Sequence, residues 1–289
     1  MSKTWRIVGT TIFWCVVVAY FVCALLLRAR NERERRVESI EIVVRDADQR
    51  GFITPEKVLS LLAEEGIAPV GKSVDSVDLA AINRTIEAYC FTSRSLAYID
   101  YEGTLTIELS QRAPLLRVIT DEGYDFYLTA GGYVLPVEPS VSLNLPIVTG
   151  SLEVPFGKSF EGNLREWFSE GEKKYRENYN FLSKLINFVI YLETPEWEGG
   201  RCVQINLVSP KKKGSKADSF VEPHIELVPL TGDYLVEFGK LDEVEEKMYR
   251  WRRFVEAKVV DMKGGTLSVE YDGQAVWKPA KEKKKTKKK

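Results

Sequence analysis

The chain has 289 residues, and its 41 Lys and Arg nearly cancel its 42 Asp and Glu. That balance excludes a global field favouring nucleic acid or an acidic substrate. The single histidine, His224, rules out a two-histidine metal site, and no Cys-x-x-Cys spacing occurs among the four cysteines.

The uncharged run from Ile7 to Leu27 counts 21 residues. As a helix it measures about 31 Å, enough to cross a hydrocarbon layer of about 30 Å. It reads as an uncleaved transmembrane helix over 7–27 behind a short cytoplasmic N-terminus over 1–6, with Trp5 placed as an interface anchor. A signal peptide would carry a shorter apolar region and a small-x-small cleavage site, whereas this run ends in Leu25-Leu26-Leu27-Arg28. Arg28, Arg30, Arg33, Arg35 and Arg36 outnumber Lys3 and Arg6. A positive-inside count therefore holds the C-terminal side in the cytoplasm.

Residues 28–36 read as a polar stalk. Ile40, Ile42 and Val44 then alternate with Glu41, Val43 and Arg45, which predicts a strand. Thr54-Pro55 is a helix cap with proline at the first helical position; Val58, Leu61 and Leu62 form one face, and Gly66 ends it. A second helix opens at Asp78, with Leu79, Ile82, Ile86 and Tyr89 at helical spacing. Leu96 to Tyr101 is extended, Glu102-Gly103 is a hairpin turn, and Leu105, Ile107 and Leu109 alternate with polar neighbours. The order β-α-α-β-β over 37–112 is that of a POTRA module, a small docking domain that receives polypeptides.

Residues 113–279 read as a mixed β domain with flanking helices. Phe126-Tyr127-Leu128 and Tyr133-Val134-Leu135 make a hairpin, and Pro136, Pro139 and Pro146 punctuate a crossing to Ile147-Val148. Phe160 to Leu192 is helical in two pieces. Strands follow at Val203 to Leu207, His224 to Val228 and Tyr234 to Phe238. A helix then carries Leu241, Val244, Met248, Trp251 and Val255, with Glu243/Lys247 and Glu246/Arg250 spaced i, i+4. Lys258 to Met262, a turn at Gly264-Gly265, and Thr266 to Tyr271 close the sheet. Residues 280–289 are a basic tail that cannot bury apolar surface and is expected to be disordered.

No catalytic constellation emerges. His224 opens a strand with no adjacent nucleophile pattern. Asp46-Ala47-Asp48 has the letters of a metal-holding Asp-x-Asp but sits in a polar turn of a very small layer. Glu193, Glu196 and Glu198 lie beside Pro195 and Gly199-Gly200, as in a solvated loop. Asn83-Arg84-Thr85 is a formal glycosylation triplet on a helix. Cys90 and Cys202 fall in separate predicted domains and read as two unpaired thiols, a bridge between them being the alternative. The expectation is a non-enzymatic binding protein with no cofactor, no metal and no small-molecule substrate.

The surface left open is the last strand. Leu267, Val269 and Tyr271 point one way along it, and Asp272-Gly273 breaks it before Gln274 to Trp277 resumes. A terminal strand at a sheet edge offers unpaired backbone groups to an incoming strand, with Tyr271 and Trp277 as anchors. The alternative is that this strand lies inside the sheet.

Several stretches together carry a resemblance: Gln111-Arg112-Ala113-Pro114; Phe126 to Leu128 with Gly131 to Pro136; Leu145 to Gly150; Leu235 to Gly239 with Lys247; and Glu270 to Trp277. In order and spacing they are similar to motifs of the bacterial division family FtsQ/DivIB, and Pro114 to Thr120 looks most like its Bacteroidetes branch. Departures are Glu270 where arginine is common, a shorter Asp272-Gly273 turn, and Ala130-Gly131 for aspartate-glycine. The resemblance implies a non-enzymatic, single-pass scaffold of the inner membrane with its C-terminal domain periplasmic, opposite to the charge count, and enriched at the septum. It implies that FtsB, paired with FtsL, adds a strand at the C-terminal edge through Leu267, Val269, Tyr271, Gly273 and Trp277, and that the POTRA-like unit links to FtsK. A membrane-anchored envelope enzyme of type II transferase character and a POTRA-bearing translocation component are the alternatives.

Overall fold

A computed structural model describes residues 12–25, 35–47, 51–170, 175–194, 202–209, 220–258 and 260–280. The chain divides into two compact units, Met1–Gln111 and Arg112–Lys289. The first unit's boundary falls one residue before the expected 37–112.

The expected transmembrane helix is corrected. The described residues hold a helix over 12–25 (α1), and no helix among them is long and apolar enough to cross a membrane. The 14 described residues rise about 21 Å as a helix, short of a hydrocarbon core of about 30 Å. Residues 7–11, 26 and 27 lie outside the described residues, as do 28–34 of the stalk and the basic tail from 281. Arg35 and Arg36, expected in the stalk, belong to the folded unit: Arg36 bridges Ser73, and the Val74 amide donates to the Arg35 carbonyl at 3.1 Å.

The first unit runs β1 (Ser39–Val44), α2 (Pro55–Glu64), a 3-10 turn (Val74–Ser76), α3 (Leu79–Ala88), β2 (Thr92–Ile99) and β3 (Thr104–Gln111). Both helices start where their caps predict. The Thr54 hydroxyl accepts from the Lys57 amide at 3.3 Å, and the Asp78 carboxylate from the Ala81 amide at 2.8 Å. The sheet order is β1-β3-β2, with β1 parallel and β2 antiparallel to β3. Val58 and Leu62 of α2 and Ile82 and Ile86 of α3 bury with Leu105, Ile107 and Leu109 of β3. The opposite face of the sheet is open and carries exposed Val43, Leu96 and Tyr98 around Glu108.

The second unit is built on one ten-stranded sheet. Its strands are β4 (Pro114–Thr120), β5 (Asp125–Thr129), β6 (Tyr133–Pro136), β7 (Ile147–Gly150), β8 (Gly162–Asn163), β9 (Cys202–Val208), β10 (His224–Pro229), β11 (Asp233–Gly239), β12 (Lys263–Ser268) and β13 (Val276–Lys278). Helices α4 (Leu164–Glu170), α5 (Arg176–Leu192) and α6 (Val244–Ala257) flank it. The spatial order is β13-β12-β11-β10-β9-β7-β4-β5-β6-β8, parallel at β4/β7, β7/β9 and β11/β12. The apolar stripe of α5, with Leu182, Leu185 and Val189 fully buried, packs on the sheet, and Phe188 meets Phe238 of β11 at 5.0 Å. Gly150 ends β7 with φ +101° beside the Leu207 carbonyl and Asn206, a place no side chain fits.

The closing strands depart from expectation. Lys258 to Met262 contains no strand among the described residues, and Gly264-Gly265 is not a turn but part of β12. The supposed edge strand over 266–271 is interior. It ends at Ser268, with β11 on one flank and β13 on the other. Gly273, at φ +68°, lets the chain reverse and bring Trp277 back over the sheet. Burying that indole is what drives the return.

Candidate docking site

The C-terminal end of the large sheet is a β-α-β unit, β11-α6-β12, with β13 laid antiparallel on its outer flank. Thr266, Leu267 and Ser268 face Lys278, Trp277 and Val276 in register. Among the described residues, no strand pairs with the far side of β13.

The turn from β11 into α6 is pinned by Lys247. Its ammonium is buried, donates to the Lys240 carbonyl at 2.9 Å, bonds Asp242, and lies 5.4 Å from the Phe238 ring centroid. The expected Glu243/Lys247 pair therefore gives way to Asp242/Lys247. Glu243 itself takes a left-handed backbone at φ 46°, ahead of the helix. The bond from Lys247 holds the Asp242 carboxyl below its ordinary range.

Arg250 of α6 reaches the exit of β12. Its guanidinium donates to the Val269 carbonyl at 3.2 Å and lies 3.8 Å from Asp272 and 3.9 Å from Glu246. Glu243, Glu246 and Asp272 gather their carboxylates within 4.8 Å, all exposed. Arg250 supplies the cation for two of them, so the cluster is an ion-pair network on the strand exit.

Trp277 fills a slot made by other elements. Its ring meets Tyr234 of β11 edge-on at 6.3 Å and stacks on Phe254 of α6 at 6.5 Å. The floor is Gly265, where a Cβ would collide with the indole. The Tyr234 hydroxyl accepts from Trp251 Nε1 at 3.1 Å, which fixes the wall, and burial pushes the tyrosine pKa up. Beside Trp277, Lys278 Nζ donates to Glu237 at 3.0 Å, a bond that raises the lysine pKa.

The expected site residues thus separate. Leu267 and Val269 are fully buried, and Val269 adds one bond to β11 through its amide to the Glu237 carbonyl at 3.0 Å. Tyr271 lies past the strand, half exposed; Gly273 is the reversal, and Trp277 is half-buried in its slot. Gly265, Phe254, Tyr234, Glu237 and Lys278 were missed as site residues. A glycine inside a strand pattern signals close approach of another group, a signal that the turn-like Gly264-Gly265 pair masks in the sequence.

Elsewhere, His224 Nδ1 lies 3.4 Å from Glu270 Oε1, half exposed. Asp46 accepts from the Gln111 amide at 3.1 Å and so closes the first unit's loop; Asp48 lies outside the described residues. Glu193 follows α5, while Glu196 and Glu198 also lie outside them. The Asn83 side chain accepts from the Ser95 hydroxyl at 3.0 Å. Neither Cys90 nor Cys202 is in a disulfide, and burial pushes the Cys202 thiol up to about 12.

The first unit is a helix-covered three-stranded sheet, and the second is a large sheet ending in a short strand. Residues 35–110 match the family model of the POTRA-like domain. A domain of that kind points to a protein-interaction role, and at this coarse level the match fits the FtsQ/DivIB resemblance. No curated protein matches the chain.

Proposed function

We propose that the protein is a non-enzymatic scaffold of the bacterial division machinery, linking early and late division proteins at the septum. Its POTRA-like unit serves one set of partners, of which FtsK is the expected member. Its C-terminal sheet edge captures FtsB, paired with FtsL, by strand addition. The observation that carries the reading is the sheet edge itself: a ten-stranded sheet ends in a strand of three residues, Val276–Lys278, beside an aromatic slot. Backbone pairing supplies affinity, and the side chains seated around Gly265 supply specificity. Assembly is then a binding equilibrium in which no bond is made or broken.

The test is a pull-down of an FtsB–FtsL pair on the full chain. Native protein captures the pair, and Val276→Pro, which removes the N–H by which β13 pairs with Ser268 of β12, changes the captured amount at least tenfold. No capture by native protein, or equal capture by native and variant, overturns the proposal.

A further inference from the structure

Resting on the reading that strand addition occurs at the C-terminal edge, we infer that the incoming strand takes the place of β13 instead of lining its free side: the outer flank of β12 is a strand-binding groove whose resident occupant is β13. The partner segment that displaces β13 shares its chemistry: extended, with an aliphatic residue, an aromatic residue and a cation in succession.

Every wall of the groove belongs to something other than β13. The backbone ladder is Thr266 to Ser268, held on its other flank by β11 and by the Val269 amide to the Glu237 carbonyl. The aromatic slot is Tyr234 and Phe254 over Gly265, and Trp251 fixes Tyr234. The anionic end is Glu237, held 3.0 Å from Lys278 Nζ. The groove therefore keeps its shape when β13 leaves. Strand β13, in contrast, pairs among the described residues with one neighbour only, through three residues, and hangs on a turn with exposed Tyr271 and left-handed Gly273.

The occupant's sequence reads out what the groove accepts. Val276 faces Ser268, Trp277 enters the slot opposite Leu267, and Lys278 reaches Glu237. An incoming segment must run antiparallel to β12, place a planar ring over Gly265 and carry a cation one residue later. It competes with a tethered strand, so capture is governed by how readily β13 opens.

The test needs no division protein, so its failure is separable from failure of the scaffold reading. The probe is a labelled peptide of residues 274–280, titrated into the full chain and into Trp277→Ala. The variant binds the peptide at least tenfold more tightly than the native chain, and a peptide with Ala for Trp and Glu for Lys does not bind. In the native chain, the amides of Thr266 and Ser268, which face β13, exchange with solvent at least a hundredfold faster than those of β10. A folded variant that ignores the peptide overturns the inference. If the variant does not fold, the native exchange pattern decides, and Thr266 and Ser268 amides exchanging as slowly as β10 overturn it.

Discussion

The indole of Trp277 lies on the Cα of Gly265 so closely that a Cβ there would collide with the ring and stand 2.8 Å from the Lys278 carbonyl oxygen. Two residues twelve apart in the chain thus meet face to face, and neither can change size independently. The glycine provides the floor of the slot, and the tryptophan ties the last strand to the sheet.

Gly265→Ala follows directly. The methyl group overpacks the slot, and either the indole or β13 must shift, at a cost of about 1–3 kcal/mol. Urea unfolding measures the loss, and faster exchange of the Thr266 and Ser268 amides locates it.

Gln111 predicts a cost in the first unit. Its buried Oε1 accepts from the Ile53 amide at 2.9 Å. Gln111→Leu leaves that buried donor unsatisfied and destabilises the unit by about 1–3 kcal/mol. Loss of exchange protection at Ile53, with β10 protection retained, is the expected pattern.

Asp242 predicts a pH dependence. Its folded pKa lies below the ordinary value because Lys247 bonds it, so the stabilisation is present above about pH 4 and is lost as pH falls through the depressed value. The carboxylate is 60% exposed, so solvent screening keeps the contribution below about 1 kcal/mol. Thermal melts of native protein and Asp242→Asn should differ near pH 6 and converge towards pH 2.

Cys202 predicts low reactivity. With its thiol pushed up to about 12 by burial first and Glu193 second, the thiolate is scarce at pH 8. Alkylation of Cys202 in the folded chain should run roughly a thousandfold slower than in urea, since about three pKa units separate it from an ordinary thiol. Peptide mass spectrometry after timed labelling reads this out.

Tyr271→Pro, the natural substitution if the last strand ran to Tyr271, should leave the β11/β12 ladder intact. The strand ends at Ser268, and its last bond to β11 is made by Val269. Unchanged exchange protection of the Leu267 and Val269 amides checks this.

Local elements were legible in the sequence because their causes are local. The Thr54 and Asp78 caps, the alternation of Leu105, Ile107 and Leu109, and the α5 stripe each depend on neighbours within a few positions. The β-α-α-β-β order followed from them, and so did most strands of the larger unit. What the tertiary structure alone decided is the far contact. Gly264-Gly265 has turn letters but serves as strand, because Trp277 needs the space a side chain would take. Lys247 looked like a surface helix partner of Glu243, but packing on Phe238 turns it inward to Lys240 and Asp242. Burial of one indole against residues distant in sequence converts an open edge into an occupied one, and periodicity along the chain carries no information about that choice.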